Sequence, residues 1–283
     1  MSYKTLVSIH TLKSHLSDPE WAIVDCRFSL TDSGYGQRAY LEAHIPGAIY
    51  AHLNQDLSGP IIPGKTGRHP LPSISSIVDT LSKWGIDTNI QVVAYDDVGG
   101  ALAAARLWWI LNWLGHENVA VLDGGWKQWH HEGYPVQSGN ETRESRVFIA
   151  KPRPDLVLDT KEVEEIHQDS RYRLFDSRTL ARYHGWEEPI DPVAGHIPGA
   201  LPAPYLDNLD DGERFFPKEE LKIHYEKILG RIPPERTIFY CGSGVTAAQN
   251  ILALAHCGLG VARLYAGSWS EWITDPERPI GKE

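Results

Sequence analysis

Ala43-His44-Ile45-Pro46-Gly47-Ala48 and Gly195-His196-Ile197-Pro198-Gly199-Ala200 are one phrase written twice in the same chain. Three further phrases recur around it in the same order. Ile23-Val24-Asp25-Cys26-Arg27 returns as Leu174-Phe175-Asp176-Ser177-Arg178. Val92-Val93-Ala94-Tyr95-Asp96 returns as Thr237-Ile238-Phe239-Tyr240-Cys241. Gly124-Gly125-Trp126 with Trp129 returns as Gly267-Ser268-Trp269 with Trp272. The separation between partners drifts only by what loop insertions produce, so the chain is read as an ancestral domain duplicated once. Two long copies are too few and too large for a solenoid. The polar, glycine-containing run 138–145 and the Lys151-Pro152-Arg153-Pro154 segment mark the junction. The expected organisation is a first domain over 1–137, a linker over 138–155 and a second domain over 156–283.

Within each copy, short apolar runs alternate with longer helical stretches. Residues 22–25, 91–95 and 119–122 read as buried strands, and 100–114 as an apolar helix. The second copy offers strands at 173–176, 237–240 and 262–265 and a helix over 245–257. Continuous apolar strands joined through helices predict an α/β fold: two tandem domains, each a mainly parallel sheet with helices on both faces. Ligands of such sheets sit beyond the carboxyl ends of the strands.

Composition narrows the function classes. A formal charge of −10 argues against nucleic acid or an anionic membrane as partner. No run is long and apolar enough to span a bilayer, and the first residues lack a signal-peptide pattern, so a cytoplasmic location is the expectation. Cys26, Cys241 and Cys257 are odd in number and far apart, which fits free thiols in a reducing compartment better than disulfides. The 13 histidines show no paired spacing, so no metal is expected. No cofactor is expected either. A monomer is the simplest state, because the duplication already supplies a domain pair.

The strand-end rule points to one loop, Cys241-Gly242-Ser243-Gly244-Val245-Thr246. Its two glycines permit a tight turn with inward N–H groups, and a helix N-terminus follows. A thiol there is expected to ionise far more readily than a free cysteine, whose pKa of ~8.5 falls to about 3.5–7.5 in such settings. Cys257 lies in a helical apolar run and Cys26 follows a strand, so both read as packing. The doubled Asp-x-Arg pairs and His44 and His196 occur in both copies, although only one copy carries the cysteine. They are therefore read as architecture.

Together, the Asp-x-Arg, His-Ile-Pro-Gly-Ala and Gly-x-Trp landmarks with the Cys-Gly-Ser-Gly-Val-Thr loop resemble the two-domain rhodanese superfamily over nearly the whole chain. That resemblance implies a sulfurtransferase with Cys241 as nucleophile in the second domain and a catalytically inactive first domain, where Asp96 replaces the cysteine. The loop is similar to the 3-mercaptopyruvate type. Thiosulfate-type members often place two basic residues where Gly242 and Ser243 stand. The implied substrate-binding arginine is Arg182. A second arginine typical of mercaptopyruvate enzymes, about nine residues further along, is not evident; that region reads Glu188-Pro189-Ile190-Asp191. The implied relay beside the cysteine maps to Ser243, His69 and Asn54, with an amide in place of the family's carboxylate. The implied partners are a small anionic sulfur donor, 3-mercaptopyruvate or thiosulfate, and an acceptor such as cyanide, a small thiol or a thioredoxin-like protein.

Two other readings compete. A cysteine phosphatase or arsenate reductase on this fold needs an arginine at 247, where Ala247 stands. A sulfur-carrier or binding module without turnover would also keep Cys241, and would form a persulfide only once.

Overall fold

A computed structural model describes residues 2–282. Its contacts divide the chain into two units. The first comprises Met1–Gly59, Pro72–Arg153 and Asp211–Phe215; the second comprises Pro60–Leu71, Pro154–Asp210 and Phe216–Glu283. The segment Pro60–Leu71 is thus sequence of the first repeat that packs with the second unit.

Each unit is a five-stranded sheet in which every pairing is parallel. In the first, β1 (Leu6–Val7), β2 (Trp21–Asp25), β3 (Ile49–Tyr50), β4 (Gln91–Tyr95) and β5 (Val119–Leu122) take the order β1-β5-β4-β2-β3. In the second, β6 (Val157–Leu158), β7 (Arg173–Asp176), β8 (Leu201–Pro202), β9 (Thr237–Tyr240) and β10 (Arg263–Tyr265) take the order β6-β10-β9-β7-β8. The orders are the same, as duplication requires. Strands buried along their whole length, such as β2 and β4, need helices on both faces, and the helices between strands supply them. The helix Ala103–Trp113 is buried at every residue, as expected of a sequence apolar all round.

The repeated phrases prove to be the members of one hydrogen-bonded corner. In the first unit Arg27 makes a bidentate pair with Asp25, its Nη2 donates to the Ala43 carbonyl at 2.6 Å, and its guanidinium lies 4.3 Å over the Trp126 ring. The Tyr95 hydroxyl donates to Asp25 at 2.7 Å and accepts the Ile45 N–H at 3.2 Å. The second unit repeats this. Arg178 pairs with Asp176, donates to the Gly195 carbonyl at 2.6 Å and lies 4.9 Å over Trp269. The Tyr240 hydroxyl accepts the Ile197 N–H at 3.1 Å. Buried charges survive only when paired and hydrogen-bonded, so no member of the corner can change alone. His44 and His196 complete the picture. Each sets Nδ1 against a carbonyl oxygen, of Tyr40 at 2.7 Å and Tyr183 at 2.9 Å.

Both expected helices begin later than the sequence suggests, at Ala103 and Ala247. The intervening residues form loops in which N–H groups turn toward the Asp96 carboxylate in one unit and the Cys241 sulfur in the other instead of continuing the helix. Gly99 and Gly100 at φ +64° and +72°, and Gly244 at φ +73°, provide the left-handed turns. Among the described residues no helix is long and apolar enough to cross a membrane.

Candidate active site

Cys241 directly follows β9, and its loop wraps the thiol. The Thr246 hydroxyl and the backbone N–H groups of Ser243, Val245 and Ala247 donate to Sγ. Burial pushes the thiol pKa up, but these four hydrogen bonds outweigh it and hold Cys241 below the ordinary thiol value. Thr246 sits at the helix N-cap without capping the helix, which leaves its hydroxyl to the sulfur. The other thiols have no such cradle. Burial raises Cys257, and burial with the nearby Asp25 and Asp96 charges raises Cys26 well above the ordinary value. The cradle closes around the sulfur, and Cys241 is 2% exposed.

The Gly-x-Trp landmark supports the loop from below. Ser268 Oγ accepts the Cys241 N–H at 3.1 Å and donates to the Tyr265 carbonyl at 2.9 Å. The Trp269 and Ser270 N–H groups donate to the Cys241 and Gly242 carbonyls at 3.0 and 2.9 Å. Gly244 passes close beneath; a Cβ there would stand 2.4 Å from the Ala266 carbonyl oxygen.

Three arginines and three carboxylates form a chain that ends over Gly242. Arg178, already paired to Asp176, also reaches Glu188 at 3.1 Å. Glu188 holds Arg182 Nε through both oxygens, at 3.0 and 3.1 Å. Arg182 Nη2 donates to Asp191 Oδ2 at 3.0 Å, and Asp191 Oδ1 accepts from Arg68 Nη1. A Cβ on Gly242 would stand 2.7 Å from Arg68 Nη2, and 3.4 and 3.5 Å from Arg182 Nη2 and Nη1, so it would displace the Arg68 end and leave Arg182 in ordinary contact. Arg68 Nη2 and Arg182 Nη1 have no hydrogen-bond acceptor among the described residues. Burial draws Arg68 below the usual arginine pKa, the charge on Cys241 pulls it back up, and the Arg182 charge lowers it. Arg68 reaches the loop from the segment Pro60–Leu71. Position 191 carries no arginine, yet Asp191 brings one in from elsewhere in the chain.

His69, next to Arg68, sets Nδ1 2.7 Å from Ser243 Oγ, and both are buried. The second unit therefore gathers Cys241, Gly242, Ser243, Gly244, Val245, Thr246, His69, Arg68 and Arg182. Asn54 belongs to the first unit, where its backbone N–H donates to His52 Nδ1 at 3.1 Å.

The first unit holds the counterpart of the cradle with a different occupant. The Asp96 carboxylate accepts the N–H groups of Val98, Gly100, Leu102 and Ala104 at 3.1, 2.8, 3.1 and 3.3 Å. Burial, only partly offset by these bonds, pushes its pKa up to about 6. A carboxylate thus fills the first cradle, whereas the second holds the Cys241 thiol.

The comparisons with known proteins agree with this geometry. The rhodanese-like domain model matches twice, over residues 8–132 and 159–275. A protein of Pseudomonas aeruginosa described as "Probable 3-mercaptopyruvate sulfurtransferase" is 45% identical over 281 residues, covering 99% of each chain. The thiosulfate sulfurtransferase of Rattus norvegicus is 33% identical over 282 residues, covering 96% of this chain and 92% of its own. Among solved structures, the 3-mercaptopyruvate sulfurtransferase from Leishmania major superposes with a TM-score of 0.85 at 32% identity, covering 98% of this chain and 75% of that one.

Proposed function

The chain belongs to the rhodanese-domain sulfurtransferases, and from that premise we propose that Cys241 carries the sulfur as a persulfide. The observation that carries the reading is the set of four donors on Cys241 Sγ, which favours a thiolate and would equally stabilise a terminal persulfide anion. The donor's anionic end is assigned to Arg182 Nη1 and Arg68 Nη2, whose guanidinium groups suit a carboxylate or a sulfur oxyanion.

With thiosulfate, the Cys241 thiolate attacks the outer sulfur. The S–S bond of the donor breaks and sulfite leaves with the electron pair. With 3-mercaptopyruvate, the thiolate attacks the thiol sulfur. The C–S bond breaks, the electron pair goes to C3, and the proton of the donor thiol ends on C3 to give pyruvate. Only the second reaction needs a proton moved, and the Ser243–His69 pair is assigned to move it. Asn54 stands third in the relay that the resemblance implies; as an amide it brings no charge to hold the imidazole as a cation. In the second half-reaction cyanide, a small thiol or a thioredoxin-like thiol attacks the outer sulfur and restores the Cys241 thiolate. The first domain is assigned no turnover, because Asp96 cannot form a persulfide.

Intact mass after donor treatment tests the proposal. The wild-type chain is expected to gain one sulfur, located on the Cys241 peptide and discharged by cyanide. Cys241→Ser is expected to gain none, and Cys257→Ser to behave as wild type. Loss of the mass gain only in the Cys257 variant would overturn the assignment. A single charging event with no turnover would favour the carrier reading.

A further inference from the structure

Asp191 has one carboxylate oxygen on each of the two arginines that meet over Gly242. Oδ2 accepts from Arg182 Nη2 at 3.0 Å and Oδ1 accepts from Arg68 Nη1. The residue is 7% exposed, so the pairing is largely shielded from water. It also sets geometry. Asp191 holds one nitrogen of each guanidinium, and the terminal nitrogens stand over Gly242: Arg68 Nη2, and both Nη1 and Nη2 of Arg182. With Glu188 on Arg182 and Asp176 on Arg178, each of the three guanidinium groups in this array is matched by a carboxylate. The site therefore offers directed N–H donors with no surplus positive charge.

Donors of different charge feel such a site differently. A carboxylate with one negative charge needs hydrogen bonds and little net field. A dianion such as thiosulfate needs surplus positive charge, and it also meets the Asp191 charge behind the arginines. We propose that Asp191 is a positioning residue that determines donor specificity: by neutralising and aiming Arg68 and Arg182 it selects a monoanionic mercapto-carboxylate over thiosulfate. This rests on the persulfide reading above.

The test compares kcat/KM for 3-mercaptopyruvate and thiosulfate in the wild type, Asp191→Asn and Arg68→Gln, at low and high salt, with intact mass read in parallel. Asp191→Asn keeps the shape and removes the charge. It is expected to move the ratio toward thiosulfate by about tenfold, mainly through KM, with the gain shrinking as salt rises. Arg68→Gln leaves the Asp191 charge less compensated and is expected to move the ratio the opposite way. Arg68 lies on a partly exposed segment, so this variant gives a second reading if Asp191→Asn folds poorly. Parallel loss with both donors in both variants, or an unchanged ratio in Asp191→Asn with an unchanged melting temperature, would mean a merely structural role and overturn the inference. Absence of any sulfur mass gain in the wild type would instead remove the persulfide reading and this inference with it.

Discussion

The Ser268 hydroxyl accepts the backbone N–H of Cys241 at 3.1 Å, and to do so Ser268 adopts φ +56°. Gly125, at the matching place in the first unit, adopts φ +54° where a glycine does so freely. Ser268 is therefore strained by roughly 1 kcal/mol, and the hydrogen bond to the residue bearing the thiol offsets that strain. Ser268→Gly is expected to relieve the strain and leave a buried N–H unpaired. Stability should then change by less than about 1–2 kcal/mol, while kcat falls about tenfold as the loop loosens. Thermal unfolding alongside steady-state kinetics checks this; an unchanged kcat would remove Ser268 from the site.

Thr246 contributes the only side-chain hydrogen bond among the leading influences that lower the Cys241 pKa. Thr246→Val keeps the shape and removes that donor. The thiol pKa is expected to rise toward its ordinary value, because one donor that favours the charged form is lost. Alkylation rate against pH measures it directly. The onset should shift to higher pH, whereas an unmoved curve would mean that the amides alone set the pKa.

The Ser243–His69 contact predicts a donor-dependent defect. Ser243→Ala and His69→Gln should slow pyruvate release about a hundredfold. Sulfite release from thiosulfate, which needs no proton, should be reduced far less. Equal losses with both donors would assign the pair to holding the loop.

Asp96 gives a prediction about stability instead of activity. Its pKa is raised to about 6 from 3.8, so the folded state binds the proton more tightly than the unfolded one. The contribution is fully favourable below pH 3.8, declines as pH rises to about 6, and is constant above. The amplitude corresponds to about 3 kcal/mol. The stability difference between wild type and Asp96→Asn, followed from pH 4 to pH 7, should fall over that window and then flatten. A flat difference throughout would contradict it.

Much of the architecture was legible because its causes are local. Continuous apolar runs at 91–95 and 237–240 have to be buried strands, and the duplicated phrases gave two copies of one sheet order. Cys241 stood out because a strand end, a Gly-x-Gly turn and a helix start lie within a few residues of it. Residues 100–102 and 245–246 read as helical in the sequence, yet the N–H groups of Gly100 and Leu102 turn to Asp96 and that of Val245 to Cys241, so the helices start at Ala103 and Ala247.

By itself, the order of residues determined the duplication, the parallel sheets and the loop that bears the thiol, since backbone preference and apolar patterning act over neighbouring positions. Folding in three dimensions decided which distant side chains face that loop. Arg68 meets Asp191 across 123 positions, His69 meets Ser243 across 174, and Ser268 meets Cys241 across 27. Such pairings follow from how the segment Pro60–Leu71 and the turn after β10 pack. No spacing rule along the chain encodes them, because charge and hydrogen-bond partners are selected by proximity after the backbone has closed on itself.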